Sequence, residues 1–195
     1  MPFHALYRNR QNEAPYLPRQ WYLSDAEMLQ WVGKDGVLIR RTDKLDPSMV
    51  RGMILHHPVG FIHEMKNSYT ILVAAGLEPE VERVIVIKEL MHCYFGPDGG
   101  GIFATDSQMA LESHLQKFFG NSFALRSHAT EAENKALWMA LAVICPENTR
   151  VQYRAKAKDD PNAIQELAEE LRIPLHQAKA LLSPQFDSEI KSILQ

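Results

Sequence analysis

Residues 88 to 92 read Lys-Glu-Leu-Met-His, one residue short of His-Glu-x-x-His, the helical arrangement in which two histidines a turn apart bind Zn²⁺ and the glutamate between them activates the metal-bound water. Glu89 stands at the position of the general base, His92 at that of the second imidazole ligand, and Lys88 where the first should be. An ammonium has three donors and no lone pair, so Lys88 cannot ligate a cation at neutral pH and repels one. Whether the chain is an enzyme turns on that residue. At about 100° per residue, Lys88, Glu89 and His92 fall within an arc of roughly a quarter turn or slightly more. Three ionisable groups on one arc of a buried helix need partners, because an unpaired buried charge is costly.

The helix that must carry them runs from Pro79 to Phe95. Pro79 suits a first turn, Glu80 and Glu82 favour its positive end, and Gly96-Pro97 stops it. Val84, Ile85, Val86, Ile87, Leu90, Met91, Cys93, Tyr94 and Phe95 make it apolar on almost every side, the mark of a central helix. A partner lies downstream in EAENKALWMALAVICP, where Glu133 begins a helix with Ala136, Leu137, Ala140, Leu141 and Ile144 on its apolar face. Glu133 comes early enough to point back at the first helix. The physical expectation is that the Lys88 ammonium donates to Glu89 or Glu133 and supplies some of the charge a metal would bring.

Other elements are read more coarsely. Residues 1 to 24, with three prolines and scattered aromatics (Phe3, Tyr7, Tyr16, Trp21, Tyr22), predict an irregular arm laid on the domain. Ser24 resembles a cap for a helix running to Val32, with a turn at Lys34-Asp35-Gly36 and a short strand over Val37 to Arg40. The segments GMILHH, GFIHEM and SYTILVAA predict a small antiparallel sheet. A further helix is expected over Asp106 to Phe118, in a long stretch from Gly96 to Thr130. Residues 25 to 195 form a single α+β domain in this reading.

Several secondary candidates carry less. His114 and His128 are the best spare metal ligands, ahead of His56, His57 and His63, while Cys93 and Cys145 read as core thiols. Asp98-Gly99-Gly100-Gly101 lacks the Lys-Ser/Thr pair of a phosphate loop and reads as a helix exit. Arg150, Arg154, Lys156 and Lys158, interrupted by Asp159 and Asp160, read as a solvated face. Leu167, Ala168, Leu171, Ile173, Ala178, Leu181 and Leu182 have the spacing of a helix-turn-helix with Pro174 opening the second helix. Its turn glycine is replaced by Arg172, its polar readers are only His176, Gln177 and Lys179, and Glu169 and Glu170 face the approach, so DNA binding is a secondary alternative.

A length of 195 residues suits one well-buried core, and a formal net charge of -3 gives no reason for non-specific attachment to nucleic acid or anionic membrane. Two cysteines and an N-terminus without a basic-then-apolar signal point to a reducing cytoplasm. No apolar run approaches the ~18 residues of a membrane span.

On these residues the chain resembles a known family. EVERVIVIKELMHCYF resembles the "eRqrftlAHElGHll" helix of the ImmA/IrrE-like zinc metallopeptidases, and Glu133, Ala136, Ala140 and Pro146 resemble that family's second helix, with Glu, Ala, Ala and Pro at matching offsets. QELAEELRIPLHQAKALL resembles its closing helices, so the likeness covers roughly residues 25 to 185 and is strong in two blocks. The resemblance implies a small sheet packed on a zincin-like helical core with a C-terminal helical pair. It implies that Glu89 is the base, His92 and Glu133 are zinc ligands, and Lys88 replaces the first histidine. It further implies an intracellular domain controlling a transcriptional repressor or toxin-antitoxin partner, often on mobile elements. With Lys88 in place, the leading expectation is a degenerate, non-catalytic member acting through a protein partner, with zinc in doubt. The alternative is an active zinc endopeptidase with a rearranged ligand set.

Overall fold

The computed structural model describes residues 2–57, 67–96 and 128–195. The expected strand GFIHEM, the helix over 106–118, His63, His114 and Gly99 to Gly101 lie outside the described residues. Within them the fold is α+β: eight α-helices and one three-stranded sheet.

The sheet differs from the expected antiparallel one. Its order is β1 (Val32–Thr42), β3 (Asn67–Ala74), β2 (Gly52–His57). The β2–β3 pair is antiparallel, but β1 lies parallel to β3. Strand direction has no local signature, which is why side-chain pattern alone missed it. β3 is central because it carries the apolar face, with Tyr69, Ile71, Val73 and Ala74 all buried. β1 is longer than Val37 to Arg40. The turn expected at Lys34-Asp35-Gly36 is a bulge inside it, where five residues of β1 span two of β3 between Val32↔Asn67 and Val37↔Tyr69. Asp35 takes φ 56° there, and a Cβ on Gly36 would sit 2.5 Å from the Gly33 carbonyl oxygen.

The N-terminal arm is not irregular. Pro2–Arg10 forms α1 and Arg19–Glu27 forms α2. Phe3, Leu6 and Arg10, on one helical stripe, are buried. The Arg10 guanidinium is wholly buried and donates to the carbonyls of Ala14, Pro15, Val143 and Ile144. Ser24 lies inside α2 rather than capping a later helix, and α2 ends at Glu27, not Val32.

Helix α3, Pro79–Met91, is the buried centre, with Glu82 and Glu89 as its buried acids. It stops four residues short of Phe95, and His92–Phe95 continues as a 3₁₀ turn ended by Gly96 at φ 119°. Helix α4, His128–Ile144, starts five residues before Glu133. Ala136 and Ala140 on α4 are fully buried, their small side chains allowing the close α3–α4 approach that brings Glu133 to α3.

The C-terminal pair is preceded by α5 (Glu147–Lys156) and followed by α8 (Pro184–Ile193). The pair itself is α6 (Ala163–Leu171) and α7 (Leu175–Leu181). Between them Arg172 adopts the left-handed φ 51°, ψ 59° at which a glycine is usual, and the Ile173 N–H closes back on the Ala168 carbonyl. Ser183 caps α8 by accepting from the Phe186 N–H.

Candidate functional site

Helix α3 presents Lys88, Glu89 and the start of the 3₁₀ turn, His92, toward Glu133 in the second turn of α4. All four sequence-derived site residues meet. Lys88 Nζ donates to Glu89 Oε1 at 2.8 Å and also bonds the carboxylate of Glu133. The other oxygen of Glu133 lies 3.1 Å from His92 Nε2, and Glu89 Oε2 lies 3.9 Å from the same nitrogen. Glu89 is 2% exposed, Lys88 15% and Glu133 28%, so solvent reaches the cluster from the α4 side.

The charges follow from this packing. Burial by itself would lower the Lys88 pKa, but the carboxylates of Glu89 and Glu133 outweigh it and hold the group above its ordinary value. Burial pushes Glu133 up, yet His92 and the Lys88 charge win and bring its carboxyl down to about 2. Lys88 is therefore an ammonium with no lone pair, engaged with both carboxylates.

The walls are apolar and close. The ring of Phe95 meets His92 edge-on, with centroids 5.2 Å apart, and the Lys135 ammonium lies over Phe95. Trp31 Nε1 donates to the Cys93 carbonyl, and Tyr94 donates to Asp25, tying the 3₁₀ turn to the region of α2. β2 passes directly over α3 at Gly52. A Cβ there would stand 2.2 Å from Ile85 Cγ2 and 3.6 Å from Glu89 Oε1, so only glycine lets the strand lie so near the cluster. The role of Gly52 was missed in the sequence, where it marked nothing but the start of a strand.

Among the described residues, the spare ligands His56 and His57 do not join the cluster. His128 is the first residue of α4, but its side chain lies outside the described residues. His56 stacks on Tyr69, and His57 Nε2 lies 3.1 Å from Thr70 Oγ1, both on the sheet. Cys93 and Cys145 are buried free thiols whose pKa burial pushes up to about 12, consistent with packing. Among the described residues, no group of three or more His, Cys, Asp or Glu is arranged to hold a metal ion. A zinc site needs at least three protein donors with free lone pairs. Here an ammonium is bonded to two of the carboxylates that would surround the ion, so the described residues do not fit zinc.

The basic stretch of α5 is engaged internally. Arg150, 5% exposed, pairs with Glu147 and Asp187; Arg154 pairs with Asp187, and Lys156 with Glu166 and Asp160. Arg150 is thus buried in an interhelical network, whereas Lys156 and Lys158 are exposed, as a solvated face requires.

Compared with protein-family models, curated proteins and solved structures, the chain matches none. Among the described residues no helix is long and apolar enough to cross a membrane.

Proposed function

We propose that this chain is a regulatory domain of the ImmA/IrrE-like type in which the zinc-peptidase chemistry has been lost, and that it acts by holding a protein partner. The observation supporting this reading is the Lys88 ammonium bonded to both Glu89 and Glu133, with His92 beside them. In a zinc peptidase the metal polarises the scissile carbonyl and supplies a reactive water, while the glutamate takes the proton. Lys88 supplies the positive charge that keeps the carboxylates satisfied, but it has no open coordination position for water. The cluster holds α3 against α4 in place of chemistry. Following the resemblance, the partner is a transcriptional repressor or a toxin-antitoxin component inside the cell.

A peptidase assay tests the reading. The full chain, supplied with zinc and an unfolded protein substrate such as casein, is expected to show no cleavage above that of its Glu89→Gln variant. Zinc-dependent cleavage that disappears in Glu89→Gln would restore the peptidase.

A further inference from the structure

At the other end of α3 a cleft of about 1110 Å³ opens between the N-terminal arm, the first turns of α3 and the α6–α7 junction. None of its lining residues belongs to the Lys88 cluster. Its arginines fall into two kinds. Arg19 and Arg41 share the single carboxylate of Glu82, which accepts from both. Arg83 and Arg172 have no carboxylate partner among the described residues, and both guanidinium groups lie 4.6 Å from the centre of the Tyr16 ring.

Arg83 is 9% exposed. Its Nε donates to the Leu171 carbonyl at the end of α6, and its Nη2 is buried without an acceptor in hydrogen-bonding geometry. The Tyr16 and Tyr22 rings beside it offset part of the cost of burying the cation but do not neutralise it. Arg172 is exposed at the cleft mouth on a left-handed backbone that favours glycine. Arg172, with its head over the same ring as Arg83, places two cations without carboxylate partners at one aromatic ring.

We propose that this cleft binds a small molecule bearing an oxyanion, phosphate or carboxylate. Arg172 contacts the oxyanion directly, and Arg83 supplies a second positive charge from below without reaching it. The uncharged part of the ligand lies against Tyr16 and Leu77. Glu80 and Glu169, also lining the cleft, disfavour an extended polyanion such as nucleic acid. The site is independent of the reading given above for Lys88.

The test titrates the full chain with inorganic phosphate and, separately, with succinate at matched ionic strength, following the unfolding midpoint with chloride as the control. A saturable rise with phosphate, succinate or both is expected, and the anion that works names the ligand's charged group. Arg172→Gly suits the left-handed backbone and so keeps the fold, yet the rise should be lost. Arg83→Gln should weaken binding by about tenfold, through loss of its nearby charge. The proposal is overturned if neither anion gives a saturable response, if Arg172→Gly responds like the parent, or if duplex DNA binds where the small anions do not.

Discussion

Lys88 is where a single side chain decides what the rest of the site can do. It bonds two carboxylates on two helices, and removing it leaves Glu89 without a cation bonded to it and Glu133 with His92 alone. Lys88→Met is expected to cost about 3 kcal/mol in urea unfolding, and adding Glu133→Gln should recover part of the loss, because the stranded charge rather than the missing contact dominates. The pH dependence has a definite sign. Glu133 is depressed from 4.5 to about 2 in the fold, so its contribution is full above about pH 4.5 and is lost as pH falls toward 2. Lys88 is raised, so its side of the same ion pair survives through neutral pH and is lost only above its ordinary value of 10.5. Acid titration of stability should therefore be shallower in Lys88→Met than in the parent over about pH 2 to 5. At Gly52 the backbone itself is the constraint: Gly52→Ala should cost about 1 to 2 kcal/mol by pushing Ile85 away and shifting β2 off the cluster.

At the scale of elements, the helices depend on groups that reach between them. Arg10 of α1 satisfies the last carbonyls of α4, where a cation is also favoured by the helix dipole. Arg10→Met should cost about 3 kcal/mol, measured by chemical unfolding, because it strands the Ile144 carbonyl in the core and leaves that of Val143 to Tyr22 alone. Much of α3 and α4 was legible, since a helix apolar on nearly every side with its charges on one arc must bury that arc against a partner, and Glu133 was the acid placed to meet it. The arm was not legible. Only Phe3, Leu6 and Arg10 carry the α1 stripe, too short a pattern to stand against Pro15 and Pro18, and a buried arginine reads locally as a surface residue. Arg150 misled in the same way: its partners Glu147 and Asp187 come from α5 and α8, and nothing adjacent in sequence announces the second. The parallel pairing of β1 with β3 likewise belongs to the connection, not to the strand.

At the scale of the whole molecule, the described residues form one core organised around α3, with an internal ion pair at the helix's C-terminal half and an arginine-lined cleft at its N-terminal half. Residue types and spacing could place Lys88, Glu89, His92 and Glu133 together. They also pointed the lysine at Glu89 or Glu133, and the structure has it on both at once, which depends on the depth of the α3–α4 contact. The most direct measurement is metal content and metal response of the purified full chain. No stoichiometric zinc is expected, and the unfolding midpoint should neither fall with chelator nor rise with added zinc. Stoichiometric zinc that disappears in both His92→Ala and Glu133→Ala would contradict it.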